Sequence, residues 1–205
     1  MQLDVTALAS FWLAFSLALV SPGPNFALML RIGLAEGRAP ALRTVLGIAL
    51  GEAAWGSAAV LGVAALALRY PWLGSAIRLA GGAFLLWLAF GALRAAWQGP
   101  TAASATVSGP RGGFATGLAL RLLNPKAGFF WVALTGVMLG PAIPLASGIT
   151  AVLGAVLLSL AWHLFLALAF SGRTLTGLYA RARRAIEATL GVALTALGVK
   201  LLAAS

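Results

Sequence analysis

The chain of 205 residues contains no cysteine. That excludes disulfides, thiol catalysis and thiolate metal sites. Carboxylates are scarce as well, with four Asp plus Glu and a single histidine, too few to supply a defensible set of catalytic acids and bases. No glycine-rich phosphate loop with lysine and serine, no HExxH and no serine–histidine–carboxylate set can be read. No cofactor and no metal are called for. Charge of either sign makes up only 9% of the residues, where a water-soluble domain carries about 25%. What fills the chain instead is apolar: 61% of it. A soluble domain of this length cannot hide so much apolar surface, because its outside must face water, and a disordered chain has far less to bury. Lipid is the simplest solvent for this composition. The start, Met1-Gln2-Leu3-Asp4, lacks the positive stretch of a cleavable signal peptide. The first apolar run is therefore read as a retained span.

Six apolar runs suggest six membrane helices: Val5 to Leu30, Thr44 to Leu68, Ile77 to Trp97, Gly113 to Leu139, Leu145 to Ser171 and Ile186 to Ala203. Their residues do not alternate as lipid-facing strands would, so the expected fold class is all-α. The formal charge of +10 comes from 14 Lys plus Arg. In a soluble protein it would point to nucleic acid. Here the basic residues sit in short gaps between apolar runs, and no nucleic-acid partner is expected. Nine of them (Arg31, Arg38, Arg43, Arg94, Arg111, Arg173, Arg181, Arg183 and Arg184) fall in gaps on one side of a six-span chain. Three (Arg69, Arg78 and Lys200) fall on the other. Positive residues mark the cytoplasmic face, which puts both termini outside, in the periplasm of a bacterial inner membrane.

Residues 98–112 read as a cytoplasmic linker. The stretch from Gln98 to Arg111 is rich in Gly, Ser, Ala, Thr and Pro and has no helical period. It divides the single membrane domain, 1–205, into a first half, 1–97, and a second, 113–205. Each half has three spans, in inverted topology. Each opens with a helix interrupted by proline beside asparagine: Ser21-Pro22-Gly23-Pro24-Asn25 in helix 1 and Asn124-Pro125-Lys126 in helix 4. Proline removes a backbone donor and clashes with the preceding turn. The groups it frees in hydrocarbon need protein or water partners. Paired broken helices in corresponding positions point to a transporter's midplane site. At the first break the alternative is a kink, or a surface turn ending a short first helix; at the second it is that the fourth span starts later.

Several side chains could carry chemistry. Lys126 is expensive inside a membrane. It could face a wet path and pair with a carboxylate, or, like Arg121, snorkel to the cytoplasmic interface. Asn124 can donate and accept. Glu52 is the one carboxylate read as lying well inside a span. It follows Gly47 and Gly51, a small-xxx-small face for close helix approach. It is expected to pair with a cation or a substrate amine, or to carry a coupling proton; a structural ion pair is the alternative. His163 titrates in a range suited to proton work, against a plain helix–helix contact. Trp55 shares the face of Glu52 and could line a cavity or simply pack. Trp72 and Trp97 are expected near the interfaces.

These features in this order resemble the LysE/RhtB family of small bacterial amino-acid exporters. The likeness runs from Ser21-Pro22-Gly23-Pro24-Asn25 through Arg31, Gly37, Gly47 and Gly51. It continues through Leu79-Ala80-Gly81-Gly82-Ala83-Phe84-Leu85-Leu86-Trp87-Leu88, Phe114 and Gly117. It then takes in Leu123-Asn124-Pro125-Lys126-Ala127 with Phe129 and Phe130, and closes at Gly191 and Gly198. The resemblance implies a compact six-span helical protein and efflux of amino acids or related metabolites driven by the proton gradient. It implies motif positions at Pro22, Gly23, Pro24, Asn25, Asn124, Pro125 and Lys126. The substrate-binding set expected here is those seven with Glu52, Trp55 and Arg121; the proton-coupling candidates are Glu52 and His163. A small zwitterion and the bilayer are the expected partners. A homodimer stays open, since small-residue faces serve internal packing and dimerisation alike. The competing readings are a non-transporting scaffold or assembly factor, a lipid-modifying membrane enzyme, or an exporter of a different small metabolite.

Because the chain has no cysteine of its own, introduced single cysteines report their side without background. A cysteine in the linker and one at the C-terminus are expected to react with an impermeant maleimide from opposite sides of the membrane. Reaction of both from the same side would rule out the inverted halves.

Overall fold

The computed structural model describes residues 5–20, 24–98, 111–138, 144–169 and 174–203, and the regular structure within them is entirely helical. In chain order the helices are α1 (Val5–Val20), α2 (Pro24–Ala35), α3 (Arg38–Arg69), α4 (Pro71–Gln98), α5 (Phe114–Leu122), α6 (Pro125–Met138), α7 (Leu145–Ala169) and α8 (Thr174–Ala203). Most of the linker, along with Pro22 and Gly23, lies outside the described residues.

Prolines set the punctuation. Pro24, Pro71 and Pro125 are each the first residue of a helix, where a missing N–H costs nothing and a fixed φ is already helical. Pro24 and Pro125, the prolines beside asparagine in the two sequence motifs, thus stand at the first positions of α2 and α6. Asn124, disfavoured from helical geometry by the proline that follows it, ends α5 and begins α6. Its Oδ1 accepts the N–H of Lys126 at 3.1 Å, an N-cap for the new helix. The turn from α2 to α3 relies on Gly37, at φ 85°. Only a residue without Cβ adopts that conformation at no steric cost, and its N–H donates to the carbonyl of Ile32 at 3.1 Å.

Three helices begin earlier than the hydropathy suggests. α3 starts at Arg38 rather than near Thr44, α4 at Pro71 rather than near Ile77, and α8 at Thr174 rather than near Ile186. The apolar runs mark what belongs in lipid, whereas Arg and Ala are strong helix formers that carry a helix on through a charged stretch. Among the described residues, three helices hold segments long and apolar enough to cross a membrane: Arg38–Ala65, Leu79–Gln98 and Leu145–Ala169. A fourth is added if α1 and α2, bent by 51°, count as one span. α5 and α6 are too short to span alone, at 9 and 14 residues.

The bend between α1 and α2 sends them to different cores. Phe11 and Phe15 of α1 join Trp131 and Leu134 of α6, Leu85 of α4 and Leu194 of α8. Phe26, Met29 and Ile32 of α2 join Val45 and Ile48 of α3 and Leu166 of α7. The outside is as apolar as the inside: Leu157 is 63% exposed and Phe90 65%. Exposed apolar side chains on this scale fit a lipid environment. Trp72 and Trp97 are also exposed, at 68% and 89%.

Glycine sets how near the helices come. A Cβ on Gly47 would lie 2.0 Å from the carbonyl oxygen of Phe114, and one on Gly117 would lie 2.1 Å from that of Thr44. Thr44 also accepts the N–H of Gly113 on its hydroxyl, at 2.9 Å. Further along, Gly51 leaves room for the stem of Arg121. Contacts thus rise together in both helices, so α3 and α5 run in the same direction. The expected small-residue face is this seam. On the other side, Gly191 meets Leu93 and Gly198 meets Leu86, so α4 and α8 run antiparallel.

Replacing Gly117 by Leu is expected to cost more than about 3 kcal/mol, the upper end of ordinary overpacking, because rigid backbone stands in the way. Gly62, with nothing within 4 Å of its missing Cβ, should accept Ala with a gain of up to about 1 kcal/mol from helix propensity. Thermal melting of both variants in detergent measures the contrast.

Candidate functional site

A cavity of about 480 Å³ opens among α1, α2, α4, α5, α6, α7 and α8. That is within the usual size range of small-molecule sites. Much of its wall is apolar, with Phe15, Phe26, Leu88, Phe130, Leu190 and Leu194 among the lining residues. The polar lining is Asn25, Arg94, Arg121, Asn124, Lys126, His163 and Glu187. A mostly apolar wall with a few converging polar groups is the usual anatomy of a small-molecule site.

Both helix starts reach this cavity. Asn25, second residue of α2, and Asn124, cap of α6, line it together. The N-terminus of a helix presents unpaired N–H groups and the positive end of the dipole. Oδ1 of Asn25 is buried with no hydrogen-bond partner, an acceptor left over inside the protein. Asn124 has its own oxygen occupied by the cap on α6. Lys126, one residue into α6, lines the cavity and is solvent-accessible. It interacts electrostatically with Glu187 of α8, which is 4% exposed. The apolar pattern counted only Glu52 as an acid inside a span. Glu187 is a second buried acid, masked in the sequence by the arginines just before it and by its place at the edge of the last apolar run.

Glu52 is fully buried and sits beside the cavity rather than among its lining residues. Arg121 of α5 donates through Nη2 to its Oε1 and forms the salt bridge. Trp131 of α6 donates its indole N–H to the same oxygen. Ser159 of α7 donates to Oε2 at 3.5 Å. One carboxylate on α3 thus gathers donors from three other helices. Of the readings that its position in the sequence leaves open, the geometry displays the ion pair. Arg121 also lines the cavity, and its Nε is buried without a partner.

The network continues to the histidine. His163 Nδ1 lies 2.8 Å from the carbonyl of Ser159 and 3.3 Å from the Ser159 hydroxyl. A carbonyl only accepts, so Nδ1 carries the proton and Nε2 is left as the basic nitrogen. His163 is buried and lines the cavity. Ser159 therefore bridges Glu52 to a cavity-lining base. Nothing in the sequence singles out that serine, one helical turn before the histidine, except its spacing.

Trp55 lies outside the cavity lining. Its ring fills the space over Gly128, while the ring of Trp131 fills the space over Gly56, a reciprocal lock between α3 and α6. Its indole N–H donates to the carbonyl of Arg121 at 3.1 Å, satisfying one of the carbonyls left open where α5 ends. Pro24 and Pro125 start their helices at the two breaks.

Comparison with known proteins adds a lineage. The LysE type translocator family matches residues 16–205. The chemotactic transduction protein ChpE of Pseudomonas aeruginosa is 40% identical over 59% of each chain. The arginine exporter protein ArgO of Yersinia enterocolitica is 34% identical over 76% of each chain. The threonine efflux protein of Salmonella typhi is 30% identical over 90% of this chain and 92% of its own. No solved structure matches. With an all-helical architecture, an apolar exterior and a match over nearly its whole length, this chain is a multi-pass membrane protein and belongs to the LysE type translocator family, whose members are transporters rather than enzymes.

Proposed function

We propose that the protein is a secondary transporter exporting amino acids, or closely related small metabolites, across the bacterial inner membrane, with release coupled to protons. The observation that carries the reading is the cavity onto which the starts of α2 and α6 open, with Lys126 and Glu187 of opposite charge in its wall. A zwitterion carries one charge of each sign on neighbouring atoms. Lys126 and the helix N-termini attract its carboxylate, while Glu187 and the free Oδ1 of Asn25 attract its amine. Arg121, held by Glu52, keeps its place in the wall without presenting an unbalanced charge. Relatives named for threonine efflux and arginine export are consistent with such a cargo.

Six crossings in two inverted halves suit the helix directions. In that topology the second and fourth crossings run parallel and the third and sixth antiparallel. The glycine seams of α3 with α5 and of α4 with α8 have these directions. The halves would rock about the cavity to expose it alternately to each side. Without a phosphate loop, transport would use a gradient or run downhill. The path Glu52–Ser159–His163 provides titratable groups linked by a hydroxyl from the core to the cavity. In this reading the protein has both termini in the periplasm.

Purified protein in liposomes loaded with labelled amino acids is expected to accelerate release of one class, faster still with a pH gradient. A scaffold or assembly factor would show no protein-dependent release across the panel. Ser159→Ala should keep downhill release and lose most of the acceleration by the gradient, since Ser159 touches the path and not the cavity. Glu52→Gln should cost about 3–5 kcal/mol of stability, the effect of leaving the Arg121 charge buried without its partner. Flux under paired gradients and thermal melting, respectively, decide these two.

A further inference from the structure

We infer that the cavity selects amino acids with uncharged, apolar side chains and rejects basic ones. This rests on the exporter reading above and narrows its substrate class. The argument is one of charge and surface. Four ionic side chains line the cavity: Arg94, Arg121, Lys126 and Glu187. Glu52 lies behind Arg121 and neutralises it. Among the described lining residues Arg94 and Lys126 then stand against one carboxylate, Glu187, a surplus of one positive charge. The backbone of a bound amino acid uses Lys126 and Glu187 for its own two charges. A second cation on the substrate side chain finds no further carboxylate among the described lining residues and meets Arg94 instead. An unpaired charge in a half-dry site is strongly disfavoured.

The remainder of the wall fits the complementary cargo. Phe15, Phe26, Leu88, Phe130, Leu190 and Leu194 contribute aromatic and aliphatic surface on several sides. Burying a branched or aromatic side chain there removes apolar area from water. The hydroxyl of threonine gains less from such a wall than leucine or phenylalanine does. Of the two cargoes for which relatives are named, threonine and arginine, this cavity is unsuited to arginine.

The test loads proteoliposomes containing the full chain with equal concentrations of labelled leucine, phenylalanine, threonine or arginine and compares initial release. Leucine and phenylalanine are expected to leave at least about ten-fold faster than arginine, the scale of one unfavourable charge contact at partial burial. Arginine release within ten-fold of leucine, or release of threonine alone, overturns the selectivity and leaves the exporter reading standing. Protein-dependent release of none of the four overturns both. Charge reversal at the exposed Arg94 supplies the second arm. Arg94→Glu gives the wall a second carboxylate and should lower the leucine-to-arginine ratio about ten-fold, with Arg94→Gln intermediate should the reversal fail to insert. A ratio unchanged in both variants overturns the charge argument.

Discussion

One buried carboxylate organises the centre of this protein. A charge with no access to water must be paired and hydrogen-bonded or it is not tolerated. Glu52 meets that condition by collecting Arg121, Trp131 and Ser159 from α5, α6 and α7. Its demand therefore fixes how α5, α6 and α7 dock on α3. The docking is feasible only because glycines let the helices approach. Gly51 makes room for the stem of Arg121, and Gly56 makes room for the ring of Trp131. Small residues and the acid act as a unit: the glycines set the distance, and the acid uses it. In hydrocarbon, where apolar burial between helices offers little driving force, such a polar centre specifies one arrangement among many that would pack equally well.

The same condition explains why the chain breaks where it does. A helix crossing without interruption satisfies its own backbone. The starts of α2 and α6 instead leave N–H groups at the cavity, and the chain invests side chains in managing them. Asn124 caps α6 with its own oxygen. Trp55 covers the carbonyl of Arg121 at the end of α5. Oδ1 of Asn25 has no such employment within the protein. One break is thus largely self-satisfied and the other retains an unspent acceptor, so the two starts are not equivalent even though the sequence makes them look alike.

Much of this was legible from the residues. Hydropathy located the long helices, proline beside asparagine located the starts of α2 and α6, and Gly47 with Gly51 located a close seam. The charge of Glu52 inside an apolar run announced a buried interaction, and Arg121 and Lys126 stood out as cations in the fourth run. What stayed hidden depends on distance through space. Hydropathy could not say that Arg121 belongs to Glu52 while Lys126 faces Glu187, because partners 69 and 61 positions away meet only after the helices dock. It also discounted Glu187, whose neighbours Arg181, Arg183 and Arg184 read as a loop although α8 already runs through them. Trp55 was legible as lying on the face of Glu52, but whether that face meets a cavity or a glycine depends on Gly128 of another helix.

The division of labour among the charges bears on motion. A transporter must change shape without ever leaving a charge stranded, since each stranded charge adds several kcal/mol to the barrier. The pair of Glu52 and Arg121 links α3 to α5, along a glycine seam too tight for the helices to slide. That seam is therefore expected to move as a rigid body. Lys126 and Glu187 lie on α6 and α8 and face a cavity rather than a packed seam. On the proposed exporter reading, a zwitterion arriving there brings a charge of each sign to the same wall, so that the loaded cavity would rearrange with its cargo's charges compensated.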